Sequence, residues 1–305
     1  MSTSSYHRQE PISSCELSSV IERANMLEKT VLITGCSQGG VGAALVKAFR
    51  AKGYHVFATL RNMAKAGSLA GMDGVDLLEL EVTSDESIQQ CAKAVAKRTG
   101  GSLDVLVNNA GALYCIPLLD APLDEAKKLY DLNVWSIVAM TQAFVPMLIR
   151  AKGVIANISS IAAKLTFAWS GIYNSSKAAE TVLSETLRLE LEPLGVRVVT
   201  VMLGAVDTGI FADIDDLELP ENSYYHIARD FIDRQRKGLI YNTKQNRDVT
   251  AKNLVHDIVS GRSSYIWRGA LSSLSWWLLS FLPDRLITSM MNSDNGLAEI
   301  RRGSR

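Results

Sequence analysis

The chain lacks an excess of either charge. Its 305 residues carry 32 lysines and arginines against 32 aspartates and glutamates, a formal net charge of zero. A nucleic-acid binder normally shows a basic surplus and a solvating tail an acidic one, so neither class is expected, nucleic acid included among the partners. Cysteine is scarce: Cys15, Cys36, Cys91 and Cys115 are scattered, with no CxxC pair. That spacing excludes a zinc ribbon, favours reduced thiols over a disulfide scaffold, and gives no reason to expect a metal. Seven prolines and 21 glycines leave nothing collagen-like or linker-dominated. The first 28 residues are polar and serine-rich, without the apolar core of a signal peptide, and read as a mobile tail. A long apolar run is also wanting. The nearest, residues 266–282 (IWRGALSSLSWWLLSFL), is short for a membrane span and is interrupted by Arg268 and serines. Core material is plentiful, at 47% hydrophobic and 21% charged residues, so a large folded core is affordable to the chain.

From residue 30 a rhythm begins. Short apolar runs at 30–34 (TVLIT), 54–60, 76–82, 103–107, 153–158, 196–203 and 264–267 read as seven strands. Helical stretches separate them, at 41–52, 85–97, 123–150 and 173–191, with Pro146 expected to bend or break the third. Strands that are apolar throughout, rather than alternating, belong to a sheet covered on both faces. The fold class is therefore α/β, a doubly wound parallel sheet of Rossmann type. The expected organisation is one domain over 29–269, preceded by the tail and followed by a C-terminal extension at 270–305. Residues 207–253 break the rhythm with polar sequence and two helical candidates, and read as an insertion lying over the sheet's carboxyl edge as a substrate lid.

Ligands of such sheets bind outside the carboxyl ends of the strands. The first strand-to-helix turn reads Thr34-Gly35-Cys36-Ser37-Gln38-Gly39-Gly40-Val41-Gly42. Glycines allow a tight turn and close approach of a pyrophosphate, and the following helix offers free N–H groups and a positive dipole end. A plain tight turn would use the same residues. The second strand ends in Ala58-Thr59-Leu60-Arg61, without the carboxylate that would bond a ribose 2′-hydroxyl. Arg61 suits a 2′-phosphate, which favours NADP(H) over NAD(H); the alternative is a solvated surface arginine.

Tyr173 and Lys177 stand four apart at the start of a helix and share a face. A phenol titrates near ~10, and a nearby ammonium stabilises its phenolate, so the pair makes a tunable proton relay. Ser160, at the end of the fifth strand, has a hydroxyl suited to bonding a substrate carbonyl. Asn133 lies within the long third helix, where a structural polar residue is an equal alternative.

Together these residues resemble the short-chain dehydrogenase/reductase family, over roughly 29–269. The resemblance rests on the glycine loop, on Asn108-Asn109-Ala110-Gly111, on Asn133, on Ser160 and on Tyr173-Asn-Ser-Ser-Lys177, in that order and spacing. It implies Tyr173 as general acid/base, Lys177 lowering its pKa and bonding the nicotinamide ribose, and Ser160 orienting the carbonyl. Asn133 would hold a water that extends the proton relay. Gly35, Ser37, Gly40, Val41, Gly42, Arg61, Glu81 and Val82 would contact the cofactor. Asn108, Asn109, Ala110 and Gly111 would support its adenine side, and Val206 and Thr208 the nicotinamide carboxamide. The chain departs from the family's TGxxxGxG by one extra loop residue, has Glu81 where Asp is usual, and has Leu203-Gly204 for Pro-Gly. The loop TGCSxGGxG and Arg61 are similar to fungal reductases related to the 1-acyl-dihydroxyacetone-phosphate reductase.

The function expected is NADPH-dependent hydride transfer to a ketone or aldehyde, or the reverse oxidation. A non-catalytic cofactor-binding scaffold of the same fold is the alternative, and an epimerase or dehydratase stays open. Trp267, Trp276, Trp277 and Phe281 near the substrate mouth suggest a lipophilic small molecule: a keto-lipid such as acyl-dihydroxyacetone phosphate, a steroid-like ketone or a secondary metabolite. Ordinary core or a homo-oligomer contact would use the same aromatics. Residues 270–282 are expected to form an amphipathic helix with Leu271, Leu274, Leu278 and Leu282 on one side and Ser272, Ser273 and Ser280 elsewhere. Such a helix suits a lid, or peripheral contact with the cytoplasmic side of the endoplasmic reticulum or a lipid droplet.

Overall fold

A computed structural model describes residues 28–303 except 212, 213, 241, 242 and 262. The expected N-terminal tail up to residue 27, with Cys15, lies outside the described residues. Apolar strands alternate with helices as follows: β1 (Thr30–Ile33), α1 (Val41–Arg50), β2 (His55–Leu60), β3 (Val75–Glu79), α2 (Asp85–Thr99), β4 (Val105–Asn108), α3 (Leu123–Tyr130), α4 (Ser136–Ala151), β5 (Val154–Ser160), α5 (Gly171–Leu191) and β6 (Arg197–Leu203). After them come β7 (Val206–Asp207), α6 (Arg229–Arg236), β8 (Gln245–Asn246), α7 (Arg247–Ser260), β9 (Tyr265–Arg268), α8 (Ser272–Phe281), α9 (Asp284–Met291) and α10 (Leu297–Gly303). Seven strands make one parallel sheet in the order β3-β2-β1-β4-β5-β6-β9, so the fold is the doubly wound Rossmann type. The order reverses between β1 and β4, and the crevice at their carboxyl ends is where a ligand fits.

Each face of the sheet is sealed by its own core. On one, α1 buries Leu45, Val46 and Phe49 beside Leu254, Val255 and Ile258 of α7. On the other, Ile88 and Val95 of α2 meet Met140, Phe144 and Leu148 of α4. Burying each such side chain contributes about 1.5–3 kcal/mol.

Three expectations are corrected. Pro146 neither breaks nor ends α4, because Phe144, Met147 and Leu148 pack into the core around it and hold the helix through the missing N–H. The irregularity falls earlier, in a π-type turn at Asp131–Trp135, where the Ser136 N–H donates five residues back to the Asp131 carbonyl. The run Leu123–Ala151 is long and apolar enough by composition to cross a membrane, yet half of its most apolar window is buried, and Met140, Phe144 and Leu148 pack on the sheet. The segment 207–253 also divides. Its last part begins α7, which packs with α1 on the sheet and is a layer helix, not a lid. Finally, α8 lacks the expected leucine stripe. Its buried residues are Ser272, Ser275 and Leu278, while Leu274, Trp276, Trp277 and Phe281 are at least half exposed.

Candidate active site

The glycine loop runs from Thr34 at the end of β1 into α1. Gly35 and Gly39 have φ of +72° and +83°, a backbone that side chains disfavour. A Cβ at Gly42 would run into the Gly35 carbonyl and lie 2.7 Å from Asn109 Nδ2, so only glycine lets the helix start so close to β1. The first turn of α1 receives no side-chain cap, which leaves its N–H groups free for an anion. Ser37 lies within this loop; its carbonyl accepts from the Gly40 N–H, and Val41 opens the helix. Gly39 was not singled out by sequence, yet its carbonyl receives the Gly209 N–H at 3.2 Å and Arg247 Nη1 at 2.5 Å. Arg247 thereby brings a guanidinium to the loop from 208 residues away, a proximity that no local pattern announces. Cys36 faces inward: burial pushes its thiol up to about 12, against the opposing Thr59 backbone hydrogen bond.

The turn after β4 is knitted to this loop. Thr34 Oγ1 accepts from the N–H groups of Asn109 and Ala110, both at 2.9 Å, and Asn109 Nδ2 donates to the Thr34 carbonyl at 2.8 Å. Asn108 points elsewhere. Its Nδ2 donates to Asn157 Oδ1 at 2.8 Å, so its buried side chain braces β4 against β5. Gly111 sits against the reacting groups: a Cβ there would lie 3.1 Å from Asn133 Oδ1 and 3.7 Å from Lys177 Nζ.

Asn133, in the π-type turn, commits its whole carboxamide to protein. Oδ1 accepts from the Ala112 N–H at 2.9 Å, and Nδ2 donates to the Ala112 carbonyl and to Ser176 Oγ. It clamps the post-β4 turn to α5, with both Nδ2 protons committed to protein and Oδ1 accepting one bond. Ser160 ends β5; its Oγ accepts from the Ala162 N–H at 3.1 Å, which leaves its own proton to donate. Tyr173 lies in the first turn of α5, and its hydroxyl bonds no described residue. Lys177 is buried, with Nζ donating to the Ile158 carbonyl at 2.9 Å and to Glu180 Oε2 at 2.7 Å. Burial would lower the ammonium's pKa, but Glu180 and Tyr173 outweigh it and hold the group above its ordinary value.

At the outer end, Arg61 follows β2 with most of its side chain exposed, 3.5 Å from Glu81 Oε2. Glu81 Oε1 in turn accepts from the Thr83 N–H and hydroxyl. Val82 is buried under the crevice. Val206, in β7, pairs with Gln245 of β8, and Thr208 lies just before the Gly209 contact with the loop. The loop leading to Tyr173 is held from the C-terminal side by residues that sequence reasoning missed. Trp169 Nε1 donates to the Asn295 carbonyl, the Ala168 N–H to Asn292 Oδ1, and Gln235 Nε2 to the Ala168 carbonyl. Trp169 is kept at a φ of +65°, a strained backbone that these bonds support. A surface depression of about 310 Å³ on α3, lined by Leu123, Tyr130 and Trp135 among others, holds none of these groups. Among the described residues no His, Cys, Asp and Glu cluster could hold a metal.

A glycine turn under an uncapped helix, a serine at a strand end and a tyrosine–lysine helix face thus converge on one carboxyl edge. The chain belongs to the short-chain dehydrogenase family, whose model matches residues 29–218. It is 59% identical over 274 residues to a short-chain dehydrogenase of Talaromyces islandicus, covering 89% of this chain and 97% of that protein. It is 41% identical over 209 residues to the NADPH-dependent 1-acyldihydroxyacetone phosphate reductase of Schizosaccharomyces pombe, covering 67% of this chain and 70% of that one. Among solved structures, a short-chain dehydrogenase from Streptomyces avermitilis matches with a TM-score of 0.71 and 26% identity, over 92% of this chain and 100% of that one.

Proposed function

We propose that the protein is an NADP(H)-dependent oxidoreductase that interconverts a ketone or aldehyde and its alcohol on a lipophilic substrate. The observation that carries this reading is the buried Lys177 ammonium, fixed by two hydrogen bonds on the same helix face as a Tyr173 hydroxyl that bonds nothing else described. The residues fit the cofactor. Gly35, Gly39 and Gly42 let a pyrophosphate approach the backbone, the open start of α1 and Arg247 offer it positive charge, and Arg61 stands exposed for a 2′-phosphate. The cofactor, when bound, supplies the hydride.

The chain's own groups do the rest. Ser160 donates a hydrogen bond to the carbonyl oxygen and sets its direction. Tyr173 delivers the proton to that oxygen, and takes it back in the oxidation. Lys177 stabilises the phenolate left behind, since a cation beside a phenol favours its charged form. Asn133 keeps the Ala112 turn and α5 in register, so the relay is held by a rigid frame.

Two features support an apolar substrate: the exposed Leu274, Trp276, Trp277 and Phe281 on α8, and the name of the Schizosaccharomyces pombe relative, a 1-acyldihydroxyacetone phosphate reductase. Keto-lipids, steroid-like ketones and apolar secondary metabolites fall in that class. Peripheral contact of α8 with a cytoplasmic-side membrane or lipid droplet belongs to the same proposal, and co-sedimentation with vesicles tests it. The function itself is tested by following NADPH consumption across a panel of ketones. Turnover that rises with the substrate's apolar length is expected. Preference for small polar ketones would overturn the lipophilic reading, and no consumption with any carbonyl would overturn the reductase reading.

A further inference from the structure

Glu180 is the residue of the site that the mechanism above does not use. It stands on α5 three residues after Lys177 and seven after Tyr173, so all three share one face. The carboxylate is 1% exposed, and Oε2 receives the Lys177 ammonium at 2.7 Å. Its other oxygen, Oε1, is buried with no hydrogen-bond partner. A buried carboxylate oxygen left unpaired is costly, by about 1–3 kcal/mol, and a leucine would fill such a place without that cost. A carboxylate kept there at a cost, touching the cation that acts on Tyr173, points to a role in the charge of that cation.

We propose that Glu180 is a positioning residue for proton transfer: its carboxylate holds the Lys177 ammonium in place and partly neutralises it, so that Tyr173 faces an ion pair and not a lone cation. This rests on the oxidoreductase reading above. The charges acting on the pair come from Lys177, Glu180 and Tyr173. The elements packed around Lys177 and Asn133 present neutral groups to them: the Ile158 carbonyl from β5, the Asn133 carboxamide from the π-type turn, and, from α5 itself, the Thr181 hydroxyl bonded to Ser159 and to the Lys177 carbonyl. Burial raises the Glu180 carboxyl well above the usual carboxylate range, against the pull of Lys177. The carboxylate is therefore poised to take a proton as the pH falls. Doing so would free the full charge of Lys177 for Tyr173.

The electrostatic consequence has one sign. Removing an anion beside two acids lets either release its proton at lower pH, whichever of Tyr173 and Lys177 gives it up. The test uses the full chain with Glu180→Gln, which keeps the shape and an oxygen for Lys177 but removes the charge, and Glu180→Leu as a second variant. The readouts are the pH profile of kcat/KM for NADPH-dependent reduction, the NADPH Kd and the thermal midpoint. We expect NADPH affinity within about threefold of the parent and the basic limb of the profile displaced by about one unit to lower pH. A folded Glu180→Gln whose profile coincides with the parent overturns the proposal, as does failure of both variants to fold, since Glu180 would then serve the fold alone. Full turnover in Tyr173→Phe would instead refute the underlying oxidoreductase reading. An inactive Tyr173→Phe with an unmoved Glu180→Gln profile would refute only the role of Glu180.

Discussion

Asn157, in the middle of β5, and Trp277, on α8 after β9, are treated in opposite ways by the fold. Asn157 is fully buried and commits both ends of its carboxamide, accepting from Asn108 and donating to Ser184 at 2.9 Å. The chain of bonds continues through Thr200 to Glu185. Trp277 is half exposed and touches Phe281 across 5.5 Å. The cofactor half of the site is thus built of buried polar groups locked to one another, and the C-terminal half turns aromatic surface outward over buried serines. Bonded polar networks fix a geometry, which chemistry needs. An outward aromatic face costs little to alter, which suits discrimination among apolar substrates.

The contrast can be broken from either end. The largest effect is expected for Tyr173→Phe, with turnover lower by about 10²–10⁴-fold and NADPH affinity within twofold, measured by steady-state kinetics and fluorescence titration. Next, Arg61→Ser should weaken NADPH by about 10–100-fold while leaving NADH unchanged, because the proposed partner of the guanidinium is a 2′-phosphate, which NADH lacks. Equal loss for both cofactors would show that Arg61 does something else. Asn157→Ala should leave Asn108 Nδ2 unpaired beside an Oδ1 already without a partner, at a cost of about 1–3 kcal/mol in urea unfolding. The smallest effect on turnover belongs to the double change Trp276→Ser with Trp277→Ser, which should cost about 1–3 kcal/mol of stability because half of each indole is buried. It should raise KM for apolar ketones and leave small ones alone. A larger loss of stability there would mean that α8 is a core element in an assembly.

The two halves also differed in how far they could be read from sequence. Every strand of the sheet showed as an apolar run, because both faces are covered and local composition is enough. The loop Thr34 to Gly42, Ser160, Tyr173 and Lys177 showed because their spacing is local. Arg247, Trp169, Asn292 and Asn295 did not, since each acts across more than a hundred residues or through backbone atoms. The clamp that Asn133 makes between the Ala112 turn and α5 was not legible, because resemblance supplies a residue and not its hydrogen bonds. Along α8, apolar spacing suggested leucines aligned on one side of an amphipathic helix, but Ser272 and Ser275 turn inward, bonded to the Gly269 and Leu271 carbonyls. Glu180 was not singled out from sequence, and only its burial against Lys177, three residues before it, reveals that it matters.

The central claim is that hydride passes to a carbonyl carbon while Tyr173 supplies the proton. The most direct test is reduction of an apolar ketone with NADPH deuterated at the nicotinamide C4 position, with the product examined by mass spectrometry and NMR. The account predicts one deuterium on the new carbinol carbon, and almost no product with Tyr173→Phe. Product that carries no deuterium at that carbon with label on either C4 face, or an undiminished yield from Tyr173→Phe, would contradict it.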